Sequence, residues 1–594
     1  MKRFLVKLLA VILGLAILTG CGAKKKHNAK VSRDVVLRTT TTTEIEPTQT
    51  DDTPTTVHSD SNTSAPEDTE IIDYTFVGFA PNREIKDGNV IQEMIAQATG
   101  VRVKENWITY TSQDEAIGAM MASGQLPDFI EAGSEIQQLY ENDYLVPWDE
   151  FLEDPAYSEL RSMYSDKQWE LFRRDDGHIY WANAYGAQRG EPTARNYNGQ
   201  AFWIQVRVLE EAGYPLIETL DDYFTLIEDF AKRHPKNEDG VDVIPYTAMC
   251  EGWRYYCVEN APYYLDGYPD DGSVIVNTDD PDHPKIEDYN ITPTAKMYFK
   301  KLNEIAKSGL LDPGFASMNY DTYIAKLSSG AVLGMCDRHW DFSIIDDEFA
   351  AKGFDKLGYS YVPLGLVANR GQTKNKWHTY SSAVDTSTGI AVTTSCYDYQ
   401  KAFAFLNSCL TQDIHDLRFW GIEGEDYYVD DTGSFYRTDD MRVKWQDADY
   451  LREHSCLYPA FPQWNGTSMD GINAMKPSEQ ESEFFSSMPD PLKNAFEAYG
   501  YTSYCDWLRS EKDFEPGPWY PMYTYSNMMD TTTDYGLSWI KMTEVKHEFL
   551  PKVIFAKDFE KEWQIYMDAY AECKPEAFLN EMQAELERRI NNDF

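Results

Sequence analysis

The sequence has little positive charge. Its 594 residues include 54 Lys and Arg against 98 Asp and Glu, which gives a formal net charge of −44. Proteins that bind nucleic acid carry a basic patch or stripe, and this chain has none. We therefore expect no nucleic-acid partner. The acidic balance favours solubility and leaves the ligand open, because a local cleft can carry the opposite field.

The common catalytic motifs are also missing. His547-Glu548 lacks the second histidine of a zinc protease, and the sequence at 466–470 lacks the closing glycine of a G-x-S-x-G elbow. There is no phosphate-binding G-x-x-x-x-G-K-[ST] loop either. We therefore predict a protein that is not an enzyme. A cell-surface glycan-active enzyme stays an alternative, since a glycoside hydrolase needs only two suitably spaced carboxylates.

Cysteine is sparse, and no C-x-x-C pair occurs. This excludes a zinc ribbon and a thioredoxin-type redox pair. Beyond Cys21 the chain has eight cysteines: Cys250, Cys257, Cys336, Cys396, Cys409, Cys456, Cys505 and Cys573. An exported chain can oxidise them, and buried free thiols are the alternative. Cys250 and Cys257 are the closest in sequence, and their pairing stays open.

The only long apolar run lies near the N-terminus. Lys2, Arg3 and Lys7 precede the run Leu8–Leu18, which is typical of a secretory signal peptide over residues 1–20. The run is too short to span a bilayer as a stable anchor. Leu-Thr-Gly-Cys resembles a bacterial lipobox, which implies cleavage before Cys21 and acylation of its thiol. We expect a lipoprotein held in the bilayer on the extracellular face of the cell membrane, with an ordinary signal peptide as the alternative.

The segment 21–71 is poor in large apolar residues. It contains the lysines 24–26, the threonine run 39–43 and many Ser, Pro and acidic residues. Such a segment cannot bury enough surface to offset the entropy of ordering it. We predict that residues 21–71 form a lipidated N-terminus and a disordered stalk, and that residues 72–594 form the folded body.

The body opens with alternating strands and helices. Asp73–Phe79 alternates like a strand, Asn89–Thr99 has helical spacing, and Val101–Val103 restarts a strand. This β-α-β pattern indicates an α/β fold with a parallel sheet, and we expect the alternation to continue to about Trp181. Further helices are predicted at 113–123, 219–232, 294–308 and 399–410, and again beyond Lys552. A body of this length needs two lobes or more.

Short motifs between 72 and 430 carry a resemblance. They are ATGV at 98–101, ASGQLPD at 122–128, FWIQ at 202–205, LEEAGYP at 209–215, TLDDYF at 219–224 and SGAVLGM at 329–335. With the lipobox, their order resembles the extracellular solute-binding proteins of ABC importers. The likeness is strongest to the large lipoprotein branch that handles carbohydrates and includes alginate-type oligosaccharide binders.

The resemblance implies a two-lobed, periplasmic-binding-protein-like α/β fold of type II, with a hinge between the lobes and a helical C-terminal extension. Lobe 1 would cover about 72–190 and lobe 2 about 197–365, each with later segments, and the chain would cross near 188–198 and 364–381. A carbohydrate would be trapped between the lobes and handed to ABC permease subunits in the membrane. Peptide capture by the same kind of lipoprotein is the alternative.

One departure from that branch concerns calcium. The alginate-type relatives carry an EF-hand-like loop where this sequence has HPKNEDGVDVIP at 234–245. Pro235 and Lys236 stand where acidic ligands are expected, and calcium needs six to eight oxygens. We therefore expect a solvated acidic turn and no metal or other cofactor, with calcium at this degenerate loop as the alternative.

The candidate ligand-binding residues are mainly tryptophans. A sugar presents apolar C–H faces ringed by hydroxyls, so its site needs flat aromatic platforms beside polar groups. Trp340, which follows an apolar strand, and Trp203 are the first candidates, together with Asp337. The other candidates are Trp107, Trp253, Trp420 and Trp464. Core packing is the alternative for each tryptophan, and a hydrogen-bonded loop carboxylate is the alternative for Asp337.

Overall fold

The computed structural model describes residues 70–591 except 81, 110, 185–186, 191–192, 194, 379–383, 469–470 and 511–516. The predicted signal peptide, the lipidation site Cys21 and almost all of the predicted stalk lie outside the described residues. Within the described ranges, no helix is both long and apolar enough to cross a membrane.

The strands are short and are spread along most of the chain. They are β1 (Ile72–Gly78), β2 (Val101–Trp107), β3 (Phe129–Glu131), β4 (Trp181–Ala182), β5 (Gln188–Arg189), β6 (Gln200–Gln205), β7 (Ile244–Thr247), β8 (Ile275–Asn277), β9 (Lys285–Glu287), β10 (Val332–Arg338), β11 (Tyr361–Leu364), β12 (Ile390–Val392), β13 (Tyr428–Val429), β14 (Phe435–Tyr436) and β15 (Asn465–Gly466).

The helices outnumber the strands in the described chain. They are α1 (Val90–Thr99), α2 (Gln113–Ser123), α3 (Ile136–Glu141), α4 (Asp149–Glu153), α5 (Ser158–Arg161), α6 (Asp166–Leu171), α7 (Val206–Glu211), α8 (Leu220–Arg233), α9 (Tyr256–Glu259), α10 (Ala261–Leu265), α11 (Pro293–Lys307), α12 (Tyr320–Ser328), α13 (His339–Phe342), α14 (Ile344–Lys352), α15 (Tyr399–Ser408), α16 (Gln412–Phe419), α17 (Asp439–Lys444), α18 (Ala448–His454), α19 (Glu481–Ser486), α20 (Asp490–Tyr499), α21 (Tyr504–Trp507), α22 (Tyr523–Ser526), α23 (Asp534–Ile554), α24 (Phe559–Glu572) and α25 (Pro575–Asn591).

The predicted β-α-β opening is confirmed. The Asn89 side chain caps α1 by accepting from the backbone N–H of Gln92, and Gly100 ends the helix with φ of +70°. That left-handed conformation suits glycine, which has no Cβ to clash. The chain then re-enters the sheet as β2, parallel to β1 with Ile72 opposite Val101.

Two larger sheets organise the body. The first has the order β2-β1-β3-β12-β4, in which β2, β1 and β3 are parallel and β12 runs against both β3 and β4. The second has the order β11-β6-β10-β7, in which β10 and β7 are parallel and β6 runs against β10 and β11. Helices accompany both sheets, so the predicted α/β class is confirmed.

Buried side chains form two separate cores. We call lobe 1 the part that packs around the first sheet, with buried residues from 74–187 and 384–475. Lobe 2 packs around the second sheet, with buried residues from 197–377 and 484–586. The chain therefore passes between the cores three times, between 187 and 197, between 377 and 384, and between 475 and 484.

The C-terminal helices α23–α25 belong to the second core. Leu550 and Ile554 of α23, Tyr566 of α24 and Phe578 of α25 are buried there. In α23 the ammonium of Lys546 is buried and lies 2.8 Å from Glu259 at the end of α9. The C-terminal helices thus support the segment that follows β7.

Candidate functional site

One edge of the first sheet carries polar and aromatic side chains. Because β1, β2 and β3 are parallel, their carboxyl ends, at Gly78, Trp107 and Glu131, lie at the same edge. The antiparallel strand β12 begins opposite Glu131, which brings the preceding residues 385–388 to that edge as well. Ligands of open α/β sheets bind at such carboxyl edges.

The second sheet has a corresponding edge. The carboxyl ends of β10 and β7 meet there, because these strands are parallel, and so does the start of the antiparallel strand β6. The residues that follow β10 include Trp340 and Asp341, and the turn after β7 leads to Trp253 and Arg254.

The two lobes meet around a cavity of about 600 Å³. Asn82, Trp107 and Thr109 line it from lobe 1, and residues of α12 and α14, including Tyr320 and Ile344, line it from lobe 2. The Arg83 guanidinium of lobe 1 also pairs with Asp347 of α14. The cavity is therefore an interlobe cleft.

Three aromatic rings form a partly exposed cluster on lobe 2. Trp253 and Trp340 are 46% and 38% exposed. Their ring centroids are 5.6 Å apart and their planes differ by 17°, so the rings are stacked. Tyr256 extends the cluster at 6.0 Å from Trp253. Exposed, stacked tryptophans are unusual on a soluble surface, and they offer flat apolar area to a ligand.

Arg254 links this aromatic cluster to the cavity. Its guanidinium lies 4.3 Å from the Trp253 ring centroid and 3.9 Å from that of Tyr320, which lines the cavity. Its Nε donates to Asp341 Oδ1 at 2.9 Å. The arginine is thus held by two ring faces and a buried carboxylate, and it fixes the rings relative to the cavity wall.

Two buried carboxylates lie beneath the aromatic cluster. Asp337 accepts hydrogen bonds from the hydroxyls of Tyr323 (2.6 Å) and Tyr256 (2.9 Å) and from the Cys257 thiol (3.1 Å). Burial raises the pKa of Asp337, and burial together with the Asp337 charge raises the pKa of Asp341. Asp337 therefore anchors Tyr256 from below and is not exposed to a ligand in this structure.

In lobe 1 the cavity wall contains the aromatic residue Trp107, which is hydrogen-bonded to a carboxyl group. The indole N–H of Trp107 donates to Glu105 Oε2 at 3.2 Å, and the Asn82 amide donates to the same oxygen at 3.3 Å. Burial raises the pKa of Glu105 to about 7, against the weaker lowering effect of these hydrogen bonds. Glu105 thus holds two cavity-lining side chains in place.

The carboxyl edge of lobe 1 contributes two more acidic residues. Glu131 Oε1 accepts from the Thr388 hydroxyl at 2.6 Å and from the Gly133 backbone N–H at 3.2 Å. Asp385 Oδ1 accepts from the backbone N–H and the hydroxyl of Ser387. Burial raises the pKa of both carboxyls. The charge of Arg338 from lobe 2 also acts on Asp385, so Asp385 lies near the second lobe.

The other tryptophans considered from the sequence are buried. Trp203 is buried in lobe 2, and its indole N–H donates to the Asp337 carbonyl at 2.7 Å. Trp420 and Trp464 are buried in lobe 1 and donate to the carbonyls of Ala474 and Leu410. The structure therefore brings Trp253 and Trp340 together and places Trp107 at the cleft. Trp203, Trp420 and Trp464 present no open ring face in this structure.

The oxygens of the loop at 234–245 do not fit a calcium site. The Lys236 ammonium donates to the Gly240 carbonyl at 3.2 Å and to Asp242 Oδ1 at 2.5 Å, where it supplies positive charge itself. Asn237 Oδ1 already accepts from the backbone N–H groups of Asp239 and Val241. In the described ranges no three His, Cys, Asp or Glu side chains are grouped as metal ligands would be.

The eight cysteines of the body form no disulfide with one another. Cys250 and Cys257, whose pairing the sequence left open, are therefore not bonded to each other. Cys257 instead donates to Asp337. Burial raises the pKa of the Cys257 thiol, which keeps it protonated.

Sequence reasoning missed several polar and aromatic residues at the carboxyl edges of the two sheets. Glu131 and Asp385 could not be singled out because an acidic chain offers many carboxylates, and Tyr256 is one of 40 tyrosines. Position in the sheet is what distinguishes Glu131: it ends the parallel strand β3, where ligand contacts are expected. Asp385 could not be placed at this edge from the sequence, because the adjacent strand β12 pairs with β3, which lies far away in the sequence.

Comparison with known proteins gave no matching family model and no matching curated protein. Solved structures do match. A human-milk-oligosaccharide (HMO) binding, ABC-transporter-associated solute-binding protein from Bifidobacterium longum infantis superposes with a TM-score of 0.56 and 15% identity, over 87% of this chain and 98% of that one. The substrate-binding protein FusA of S. pneumoniae, in complex with kestose, superposes with a TM-score of 0.58 and 15% identity, over 88% of this chain and 100% of that one.

A third similar structure is the alginate-binding protein AlgQ2, solved without calcium ion. It gives a TM-score of 0.55 and 12% identity, over 88% of this chain and 99% of that one. Identities this low establish the fold and leave the ligand open. Since nearly the whole length of each protein is covered, the described body of this chain has the fold of the carbohydrate-type solute-binding proteins of ABC transporters.

Proposed function

We propose that this protein is the extracellular, membrane-anchored substrate-binding protein of an ABC transporter. It captures a carbohydrate, and more specifically an oligosaccharide, between its two lobes and delivers it to the permease subunits. The observation that carries the proposal is the pair of exposed, stacked tryptophans Trp253 and Trp340 beside a cavity shared by the two lobes.

The chemistry of the cleft suits a sugar. Ring faces stack on the C–H faces of a pyranose, while carboxylates and amides bond its hydroxyls. Lobe 2 supplies the rings of Trp253 and Trp340 beside the cavity, and lobe 1 supplies Trp107 and Asn82 from the cavity wall. A ligand placed between them would contact both lobes at once.

Ligand capture would proceed by closure of the lobes. We infer that the three connections between the cores act as the hinge, and that the Arg83–Asp347 pair bridges the lobes at the cleft. Such hinge closure around a ligand is common among binding proteins of this shape. The C-terminal helices form an extension that keeps the Trp253 segment in place through Lys546 and Glu259.

Two features of the sequence support membrane anchoring in this proposal. Cys21 would carry the acyl chains, and the stalk at 21–71 would let the body move between free ligand and the permease. Each buried methylene of an acyl chain adds about 0.8 kcal/mol of membrane affinity. Energy for transport would come from a separate ATP-hydrolysing subunit.

A binding screen tests the proposal. Thermal unfolding is measured with oligosaccharides and, in parallel, with peptides of similar size. A ligand present at 100 times its dissociation constant should add about 2.7 kcal/mol of stability. Stabilisation by oligosaccharides alone, with no product released from them, supports the proposal. Stabilisation by peptides alone would replace it with peptide capture, and release of new reducing ends would replace it with an enzyme.

A further inference from the structure

Two ion pairs between described residues join lobe 1 to lobe 2, and they differ in their exposure to water. At the cleft, the Arg83 guanidinium pairs with Asp347 of α14, and these side chains are 28% and 46% exposed. At the junction that follows residue 475, Arg442 of α17 pairs with Glu483 of α19, and these side chains are 16% and 3% exposed. The cleft pair is therefore partly in water, whereas the junction pair is largely enclosed.

The junction pair is held by several hydrogen bonds at once. Arg442 Nε donates to Glu483 Oε2 and Arg442 Nη2 donates to Glu483 Oε1, both at 2.9 Å. The Arg437 backbone N–H also donates to Oε1, at 3.0 Å. The next residue of α19, Phe484, is buried in the core of lobe 2. Separating this pair would leave a buried carboxylate without its cation, which is strongly unfavourable. We therefore expect the lobes to stay joined here when they move.

The cleft pair has no such support. The side chains of Arg83 and Asp347 form no other hydrogen bond or ion pair with a described residue. An attraction between partly exposed charges is weak, and salt screens it. Each of the two residues is next in sequence to a residue that lines the cavity, Asn82 in lobe 1 and Glu348 in lobe 2. Lobes that stay joined at the junction can part only on the cleft side, where this pair must break.

We propose that Arg83 and Asp347 form an electrostatic latch, which raises the proportion of closed molecules before any ligand is bound. This inference rests on the proposed lobe closure and names a contact that favours it. A contact shifts an equilibrium only if its strength differs between the two states. The latch meets this condition, because it forms when the lobes meet and is lost when they part. A ligand that contacts both lobes binds the closed form, so a larger closed fraction also strengthens the apparent affinity.

Single-molecule energy transfer tests the latch without any ligand. One dye is attached at the exposed position Glu84 of lobe 1 and one at the exposed position Lys356 of lobe 2, each through an introduced azide-bearing amino acid. At 50 mM NaCl the wild type should exchange between a closed and an open state. In Arg83→Gln and in Asp347→Asn the ratio of closed to open molecules should fall about threefold, as expected for the loss of one exposed ion pair.

Two further variants separate the latch from a general effect of substitution. The double variant Arg83→Asp/Asp347→Arg places opposite charges across the cleft again, so it should recover at least half of the lost ratio. Lys86→Gln is the matched control, because it removes an exposed ion pair that Lys86 forms with Glu453 inside lobe 1. This control should leave the ratio unchanged. A fall in the control as large as in Arg83→Gln would contradict the latch.

Salt gives a readout that needs no substitution at the latch. Raising NaCl from 50 mM to 500 mM should lower the ratio at least twofold in the wild type and leave it nearly constant in the single variants, which have no latch to screen. If the two states exchange with the same ratio in the wild type and both single variants, the latch is overturned and lobe closure stands. One and the same transfer value in every protein would overturn closure together with the latch. In either case the binding screen still decides the ligand class.

Discussion

At the scale of single residues, solvent exposure distinguishes the tryptophans that can contact a ligand from those that pack in a core. Residue type alone could not make that distinction. Trp253, Trp340 and Trp203 all stand beside polar neighbours in the sequence, which is why all three were candidates. The sequence could not reveal that Trp203 occupies the middle strand of a buried sheet, flanked by β10 and β11. Burial of that position depends on strands that lie more than a hundred residues away.

The aromatic pair gives the first prediction. Trp340→Ala or Trp253→Ala removes a partly exposed ring, so oligosaccharide affinity should fall at least tenfold while the melting temperature changes little. Trp203→Ala is the contrasting control, since loss of a buried tryptophan costs about 3–5 kcal/mol of stability. Calorimetry and thermal unfolding on the three variants decide the matter. A large loss of stability in Trp340→Ala with unchanged affinity would assign that ring to the core.

A second prediction concerns Glu105, whose carboxyl has a pKa of about 7 in the folded protein because it is buried. In the unfolded chain the same carboxyl has a pKa of about 4. Between pH 4 and 7 the folded state therefore binds more protons than the unfolded state. Glu105 therefore contributes stability at low pH that is lost as the pH rises through 7.

Relative to Glu105→Gln, the wild type should gain about 1 kcal/mol in free energy of unfolding as the pH falls from 8 to 6. Chemical denaturation of both proteins at the two pH values measures the gain. Because the variant shares every other titrating group, including the neighbouring Arg418 and Cys456, their effects cancel. A difference that does not change with pH would show that Glu105 is charged throughout.

At the scale of elements, local patterns predicted several helices closely and missed others. Helix α2 spans 113–123 as expected, and α8 and α11 begin within a residue of their predicted starts because Thr219 and Thr292 cap them. The expected strand–helix alternation up to Trp181 was wrong: from Ile136 to Leu171 the chain forms short helices without a strand. The apolar residues of this segment lie on helices. A short apolar run in a sequence does not distinguish a helix from a strand.

The order of the strands in the first sheet could not be predicted from the sequence. β12 at 390–392 enters the first sheet between β3 and β4, almost 260 residues after β3. No local pattern can specify a partner at that separation. This is why Asp385 and Thr388 could not be placed at the carboxyl edge of the first sheet from the sequence alone.

The C-terminal helices yield a third prediction. The Lys546 side chain is 1% exposed and pairs with Glu259, so Lys546→Met should destabilise the protein by about 3–5 kcal/mol, leaving a buried carboxylate unpaired. The double variant Lys546→Met/Glu259→Gln removes both charges and should recover most of the loss. Urea denaturation of the single and double variants provides the measurement. No recovery in the double variant would mean that packing, and not charge, accounts for the effect.

At the scale of the whole molecule, lobe closure is the fourth prediction. Addition of the oligosaccharide found in the binding screen should lower the radius of gyration measured by small-angle scattering, because the cleft closes on its ligand. Trp340→Ala at the same ligand concentration is the control, and it should remain open. Saturated binding with no change in the scattering curve would contradict the hinge.

The anchor is the fifth prediction. Cys21→Ala removes the only thiol in the lipobox-like sequence, so the variant should carry no acyl chain and should leave the membrane fraction. Mass spectrometry of the N-terminal peptide from the native host is the measurement, with the wild type in parallel. A wild-type peptide that begins elsewhere and carries no lipid would contradict the lipoprotein proposal.

The three passages of the chain between the cores have a mechanical consequence. Neither lobe is a continuous stretch of sequence, so neither can be produced by trimming the gene at one end. A protease that cuts one passage leaves two covalent tethers in place. The nicked protein should then give two bands on a denaturing gel while eluting as a single intact species under native conditions. Damage by an extracellular protease would in this way leave the two lobes together.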